Sequence, residues 1–412
     1  MVTQNTRPLS TSNSNGVMIR RFCWRAGVFC APLLGLCALF EIAMWRTGES
    51  WPVSRVVDTQ LSPGATPSLY GRMLFSQQLN VYKYAMIKRT RPTIVIHGTS
   101  RVMQIRDFMF HPLQKRFYNA GGMLQSPQDV ATYAERVRSG DLPKPEVLIF
   151  GVDPWWVKEG DTHQGWLDSQ SLQDDVQLFP AHIEAARRLV RRPVFPWPAV
   201  LVGAPAPAPG YNYQAIGAGP LLTGGGFRRD GSLQLGLDMV LESMRDPRYK
   251  DRLQILQMVT DFLAPFTLPA RVDPGRVTML LTALTELQHM GIEVYVFLPP
   301  FASAVQTVFE TSPTWEPFWR AYHTDLPARL RAGGITCLPL SVPQQDGFDD
   351  TYMYDGYHPT EIYAAALVKQ ILQHASPHSL LRTVDLVSLD TLLARTYPSP
   401  LSFESLPPGF KD

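Results

Sequence analysis

A serine, an aspartate and a histidine occur in this chain in contexts that suit nucleophilic catalysis. Ser100 follows a short apolar run in "IVIHGTSRVMQIRDFMF" (94–110), and Asp355 and His358 lie three residues apart in "DGYHPTEIYAAALV" (355–368). An imidazole can remove the proton of a serine hydroxyl, while a carboxylate orients the imidazole and stabilises its cation. The pattern therefore predicts a catalytic triad, although a serine after Gly-Thr also serves as a turn former or helix cap.

The elements that must position these residues are short apolar strands that alternate with helical patterns. Strands are predicted at 93–98, 116–121, 146–151, 292–299 and 335–340. Helices are predicted within 126–140, 273–291, 315–334 and 359–375. The alternation predicts an α/β fold, a three-layer αβα sandwich with a parallel sheet of about five strands, because parallel neighbours need crossover connections. Ligands bind at the carboxyl edge of such a sheet, where Ser100 follows the first strand.

One N-terminal transmembrane helix is predicted to precede this fold. Residues 24–45 form a run of about twenty mainly apolar residues, enough to cross a hydrocarbon core of roughly 30 Å. The alternative is a cleaved signal peptide, but the run is longer than the apolar region usual in such peptides and favours an uncleaved anchor. The arginines before it predict a cytoplasmic N-terminus with the rest of the chain outside. Glu41 within the run indicates either contact with another membrane protein or a place near the outer headgroups.

Five regions follow from these patterns. They are a cytoplasmic N-terminus (1–23), an anchor (24–45), a stem (46–90), an α/β domain (91–375) and a C-terminal tail with a short helix (376–412). The domain carries a Pro/Gly-rich insertion at about 160–273, which we expect to be partly irregular and to form a lid or substrate wall.

Composition excludes several classes of function. The chain has 412 residues, of which 45% are hydrophobic and 18% charged, with a net charge of +2, so nothing favours a nucleic-acid partner. Cys337 is the only cysteine after the anchor, which leaves no disulfide and no Cys/His spacing for a metal. We therefore expect no metal and no organic cofactor, and this composition suits a bacterial envelope.

Two blocks of the sequence resemble the SGNH (GDSL-like) hydrolases. The first block of that family reads Gly-Asp-Ser after the first strand, and here it reads Gly98-Thr99-Ser100. The last block reads Asp-x-x-His and is matched by Asp355-Gly356-Tyr357-His358, with the customary proline after it. The competing Gly-x-Ser-x-Gly elbow of the α/β-hydrolases is absent, because Val102 occupies its last position. The resemblance implies an SGNH-like fold in which Ser100, His358 and Asp355 are catalytic.

The resemblance also implies an oxyanion hole built from the middle blocks. Its donors would be the backbone N–H of Ser100 and that of Gly121 or Gly122 in "NAGG" (119–122). The third block is usually Gly-x-Asn-Asp, whose Asn side chain donates, but here Asp153 takes the Asn position. An ionised Asp153 would repel an oxyanion, which leaves three alternatives: a protonated carboxyl, a hydrogen bond to backbone, or replacement by Arg101.

Four side chains are candidate substrate contacts. Trp155 and Trp156 follow the third strand and can stack on sugar rings or close the core. Arg101 can bind a sugar hydroxyl or uronate, or pair with a carboxylate for structural reasons. Arg228 lies in the insertion, either in a charged turn or as a contact for an anionic substrate.

The resemblance is closest to membrane-anchored SGNH-like proteins of polysaccharide and teichoic-acid acylation systems. It implies an outward-facing O-acyl esterase or O-acyltransferase that acts on an acylated cell-surface glycan. A multi-span membrane acyltransferase is the partner that such systems imply. The alternative is a catalytically inactive accessory protein that binds glycan or scaffolds an envelope acylation complex.

Overall fold

The fold comes from a computed structural model. It describes residues 12–64, 66–160, 167, 172–191, 195, 197, 200, 213–237, 239–241, 271–338, 340 and 343–403. The α-helices of these residues are α1 (Ser12–Thr47), α2 (Val53–Leu61), α3 (Leu79–Thr90), α4 (Pro127–Arg138), α5 (Phe179–Arg191), α6 (Ala218–Thr223), α7 (Pro274–His289), α8 (Ser303–Thr311), α9 (Glu316–Arg320), α10 (Leu326–Ala332), α11 (Glu361–Gln373) and α12 (Leu386–Leu393). The strands are β1 (Ser68–Tyr70), β2 (Ile94–His97), β3 (Phe117–Asn119), β4 (Val147–Gly151), β5 (Gln214–Ile216), β6 (Gly226–Phe227), β7 (Leu233–Gln234), β8 (Glu293–Phe297) and β9 (Thr336–Leu338).

The central element is a five-stranded parallel sheet in the order β3-β2-β4-β8-β9. All five predicted strands are confirmed, each within a residue or two of its predicted ends. β2 is the first of these five strands in the chain, yet it lies between β3 and β4. β3 is therefore added on one side of β2, and the later strands are added on the other side. The carboxyl ends of β2 and β4 therefore flank the topological switch point, where open α/β sheets bind their ligands.

Both faces of this sheet are buried under apolar side chains. Val95, Leu148 and Val294 point into one hydrophobic cluster, and the alternate residues Ile94 and Ile149 belong to another on the opposite face. Helices α3, α4 and α7 contribute to the first cluster, while α11 and α12 contribute to the second. The α/β class is thus confirmed, and the continuous apolar runs of the strands reflect burial on both sides.

Two of the predicted helices begin at the capping residues that the sequence indicates. The Ser126 side chain accepts a hydrogen bond from the Asp129 N–H at the start of α4, and Asp273 caps α7 in the same way. The third predicted helix is divided into α9 and α10 by a π-helical turn at Ala321–Asp325. Pro327 has no N–H to donate to the carbonyl four residues before it, which explains why one regular helix does not run through this segment.

The predicted stem at 46–90 is wrong, because this segment belongs to the folded body. Val56 in α2 and Tyr82 and Met86 in α3 are buried in the cluster that covers the central sheet. β1 joins a second, small sheet in the order β5-β1-β6-β7, whose other strands come from the insertion. About half of the insertion lies outside the described residues, and its described parts include short regular elements.

Helix α1 begins twelve residues before the predicted anchor, and its part from Gly16 to Thr47 is long and apolar enough to span a membrane. Its last turns enter the folded body, where Ala43 and Met44 are fully buried. The Glu41 carboxylate lies 2.7 Å from Nδ1 of His182 in α5. Glu41 therefore has a partner within its own chain, so this residue gives no support for contact with a second membrane protein.

Candidate active site

Ser100 stands at the carboxyl end of β2, as the first residue of a 3-10 turn that ends at Val102. The turn is capped by Thr99, whose hydroxyl accepts a hydrogen bond from the Arg101 N–H. A side chain at position 98 would have its Cβ only 2.9 Å from Val102 Cγ1 and 3.0 Å from the Gly151 carbonyl oxygen. Glycine at this position thus lets β2, β4 and the serine turn approach closely, which fixes where Ser100 leaves the sheet.

The structure brings Ser100, His358 and Asp355 together as predicted. Ser100 Oγ lies 2.6 Å from His358 Nε2, and His358 Nδ1 lies 2.6 Å from Asp355 Oδ2. Ser100 lies more than 250 positions before Asp355 and His358 in the chain, yet the three residues meet at the switch point of the sheet. Ser100 and His358 are partly exposed, so a substrate can reach the serine hydroxyl.

Asp355 is set up as an ionised partner for the imidazole. Its Oδ1 accepts the backbone N–H groups of Tyr357 at 2.9 Å and of His358 at 2.7 Å, which leaves Oδ2 for the imidazole. Burial alone would raise the pKa of Asp355, but the hydrogen bonds from His358 and from these two N–H groups lower the pKa below its ordinary value. The same bonds fold the Asp-Gly-Tyr-His turn, so one carboxylate both shapes the turn and orients the base.

Arg101 is buried beneath the serine turn and does not face a substrate. Its guanidinium contacts Asp153 Oδ1 at 2.6 Å and donates to the carbonyl oxygens of Tyr357 at 2.8 Å, Pro299 at 2.7 Å and Pro300 at 2.5 Å. The proposed sugar contact is therefore wrong, and the structural alternative, a pair with a carboxylate, is confirmed. Arg101 ties the serine turn to the loop after β8 and to the turn that carries His358.

Asp153 is the second partner in this buried pair. Its Oδ2 accepts a hydrogen bond of 2.5 Å from the Thr99 hydroxyl, and its side chain has no exposed surface. Burial raises the pKa of Asp153, against the opposing effects of Arg101 and the Thr99 hydroxyl. With both oxygens used within the protein, Asp153 cannot serve the oxyanion hole, and that prediction is wrong.

The glycines of the second block also differ from the prediction. The Gly121 N–H donates to the side-chain oxygen of Asn119 at 2.8 Å, and the Gly122 N–H donates to the Gly98 carbonyl oxygen at 2.8 Å. Neither group is directed at an acyl oxygen on Ser100, so the predicted donors are not met in this structure. In the part of the chain that the structure describes, the Ser100 N–H has no acceptor and remains available to an oxyanion.

Asn119 is a structural residue of the site that the sequence analysis missed. Its side-chain amide donates to the carbonyl oxygens of Val102 at 2.8 Å and Ile105 at 2.7 Å, while its oxygen accepts from Gly121. The side chain thus holds the chain segment after Ser100 against the end of β3. The available signal in the sequence was a polar residue near the carboxyl end of a predicted strand, and the structure shows that its side chain is fully buried.

The two tryptophans have different environments. Trp156 is fully buried and belongs to the core, so it cannot contact a substrate. Trp155 is partly exposed, and the Arg101 guanidinium lies 5.9 Å from the centre of its ring. Two further aromatic residues, which the sequence analysis did not select, flank the base: the ring centres of Tyr357 and Tyr354 lie 4.1 Å and 6.3 Å from that of His358.

Arg228 is also buried, so it is not an exposed contact for an anionic substrate. It lies with Gln104, Gln234 and Glu361 around a small cavity behind the serine turn. Burial would raise the pKa of Glu361, but the charges of Arg106 and Arg228 lower that pKa below its ordinary value. The charge of Arg228 is therefore compensated within the protein.

Comparison of the chain with protein-family models, with curated proteins and with solved structures finds no match. Within the described ranges, no group of three or more His, Cys, Asp and Glu side chains is arranged to hold a metal ion. The chemical reading of the site therefore rests on its geometry.

Proposed function

We propose that the chain is a serine-dependent O-acyl esterase or O-acyltransferase with an SGNH-like αβα sandwich. The observation that carries the proposal is the pair of 2.6 Å contacts that join Ser100, His358 and Asp355 at the switch point of the sheet. A hydroxyl, an imidazole and an ionised carboxylate in this order are the groups that acyl transfer requires.

The geometry supports a two-step reaction. His358 Nε2 takes the proton of Ser100 while Oγ forms a bond to the acyl carbon, and the Ser100 N–H donates to the resulting oxyanion. The intermediate collapses when His358 returns the proton to the departing alcohol oxygen, which leaves an acyl-serine. In the second step His358 takes a proton from water or from a glycan hydroxyl, whose oxygen bonds to the acyl carbon. The bond from that carbon to Ser100 Oγ then breaks, and His358 returns the proton to Oγ. Water gives hydrolysis, and a glycan hydroxyl gives transfer.

A glycan as substrate is supported by the aromatic rings at the site. Tyr354 and Tyr357 are partly exposed beside His358, and the partly exposed Trp155 lies next to Arg101, the residue after Ser100. Aromatic faces pack well against sugar rings. Helix α1 is long and apolar enough to span a membrane, which supports an anchor. On the arginines before it, we propose that the N-terminus lies in the cytoplasm of a bacterium and the catalytic domain outside. A multi-span membrane acyltransferase that delivers the acyl group is the partner we propose.

A second candidate function is a non-catalytic glycan-binding or scaffolding protein. The observation in its favour is the oxyanion hole, since Asp153 and the N–H groups of Gly121 and Gly122 are all used within the protein. Loss of one such donor costs about 10² to 10³ in rate in other serine enzymes.

The test is active-site labelling of the full chain in lipid nanodiscs. We expect a fluorophosphonate probe to add to Ser100, with the adduct located by peptide mass spectrometry, and aryl acetates to be hydrolysed. Ser100→Ala abolishes both signals, whereas Ser54→Ala, a change of an exposed serine in α2, leaves both unchanged. A folded wild-type protein that neither takes the probe nor turns over any acyl ester would support the non-catalytic alternative.

A further inference from the structure

Outside α1, the exposed apolar side chains of the described residues are concentrated on and next to helix α5. Leu178, Phe179, Ile183 and Val190 are exposed by 51%, 76%, 43% and 85%. In the described part of the chain outside α1, the only other large apolar residues that are exposed are Met279 and Val387, and they lie on separate helices. Single exposed apolar residues are ordinary, but four on one short segment indicate a covered surface.

These side chains form one stripe on α5. Phe179, Ile183 and Val190 are spaced by four and seven residues, which places them on one side of a helix. The opposite side carries Ala185, which is fully buried. The helix is therefore apolar on two sides, one packed within the protein and one bare.

The packed side fixes α5 to the end of α1. His182 contacts Glu41 at 2.7 Å through Nδ1 and the Val176 carbonyl oxygen at 2.8 Å through Nε2. Ala185 shares a hydrophobic cluster with Ala43 and Met44 of α1. The position of α5 along the membrane-crossing helix is thus set by the fold.

A buried carboxylate strengthens the contact between the end of α1 and the folded body. Glu49, just after α1, accepts the backbone N–H groups of Met73, Leu74 and Phe75 at 2.7, 2.5 and 3.1 Å, and that of Ala218 at 2.6 Å. Because four N–H groups from two loops meet on one side chain, the folded body cannot swing freely about the end of α1.

The contact between α1 and α5 lies at the height along α1 where a membrane surface is expected. From Trp24, where the predicted anchor begins, to Met44, within one turn of Glu41, the helix rises about 30 Å, which is the thickness of a hydrocarbon core. One turn beyond Glu41, Trp45 packs edge-on against Trp51, and the Arg55 guanidinium lies 4.5 Å and 4.4 Å from their ring centres. Tryptophan is enriched at membrane interfaces, where arginine side chains also extend their charged ends toward water.

We propose that α5 is an interfacial helix that seats the folded body on the lipid bilayer. Leu178, Phe179, Ile183 and Val190 enter the boundary between headgroups and acyl chains, while the exposed Arg187 and Arg191 meet lipid phosphates. The inference rests on the proposed membrane crossing of α1. Its consequence is that the body is held at a fixed height and orientation above the membrane.

The test measures membrane depth in the full chain, reconstituted in vesicles of phosphatidylethanolamine and phosphatidylglycerol. Cys23, Cys30 and Cys37 are replaced by Ala, and the buried Cys337 stays. Single nitroxide labels are then placed by Ile183→Cys, by Val387→Cys as an exposed apolar control on another helix, and by Leu34→Cys as a reference within α1. Collision with oxygen reports lipid, and collision with a water-soluble nickel complex reports water.

We expect the oxygen-to-nickel collision ratio to be several-fold higher at position 183 than at position 387 and highest at position 34. A label at 183 that is as accessible to nickel as the label at 387 overturns the inference, while lipid exposure at 34 keeps the anchor intact. Protection of 183 from both reagents identifies a protein contact and also overturns it. Nickel access at position 34 overturns both the anchor and the inference.

Discussion

Two carboxylates lie beside the serine turn, and their surroundings give them different tasks. One carboxylate oxygen of Asp355 accepts hydrogen bonds from backbone N–H groups, and the other contacts an imidazole that is partly exposed to solvent. One carboxylate oxygen of Asp153 accepts a hydrogen bond from the Thr99 hydroxyl, and the other accepts one from the Arg101 guanidinium. All of these groups lie in the protein interior. The difference lies in the partner, because an imidazole can give and take a proton near neutral pH whereas a guanidinium cannot.

The comparison shows how the site is divided into a reactive part and a supporting part. The pair of Asp355 and His358 contacts the serine oxygen and would act on it in the proposed reaction, while the pair of Asp153 and Arg101 holds the backbone that carries the serine. Arg101 also binds the Tyr357 carbonyl oxygen, so the supporting pair fixes the turn of the reactive pair. The two regions should therefore respond differently to mutation.

The largest effect is expected in the reactive part. Loss of the base by His358→Ala should lower kcat for an aryl acetate by about 10⁴-fold or more, with the melting temperature nearly unchanged. The double variant with Ser100→Ala should be no slower than either single variant, because the two groups act as one unit. Steady-state kinetics on all three proteins checks this. Multiplied losses in the double variant would show that the two residues act independently, contrary to a triad.

The supporting part should show a stability effect instead. Arg101→Met leaves Asp153 buried without its cation, which should cost about 3 to 5 kcal/mol of unfolding free energy. Arg138→Met breaks an exposed ion pair with Glu135 and is the matched control, expected to cost less than about 1 kcal/mol. Thermal or denaturant unfolding of the two variants measures the difference. Equal, small losses would mean that the buried pair does not hold the site together.

The reactive part was readable from the sequence, since β2 with its Gly-Thr-Ser turn and the Asp-Gly-Tyr-His turn each carry a local signal. The five strands of the main sheet were also readable, because burial on both faces makes them continuous apolar runs. The supporting part was not, because Arg101 reaches carbonyl oxygens of Pro299 and Pro300 that are about two hundred positions away. Such contacts depend on how the strands are ordered, which no local pattern encodes.

The small sheet and the packing of residues 46–90 into the folded body were not predicted, for a different reason. Strands β6 and β7 contain two residues each, too few for any period to appear. Helix α2 did offer a signal, because Val53, Val56, Val57 and Gln60 are buried at helical spacing. What the sequence could not show is that this face packs against strands donated by the insertion.

The smallest effect concerns pH and separates the two carboxylates once more. The pKa of Asp355 is lower in the folded protein than its ordinary value of 3.8, so its contribution to stability is present above that value and is lost as pH falls through the lower, folded value. The stability gap between wild type and Asp355→Asn should therefore be constant near neutral pH and shrink below about pH 4. Denaturant unfolding at a series of pH values measures this gap.

The pKa of Asp153 is shifted in the opposite direction by burial, so the stability gap between wild type and Asp153→Asn should not follow the same course. A gap for Asp355→Asn that widens in acid would mean that its carboxyl is neutral in the folded protein and cannot support the imidazolium.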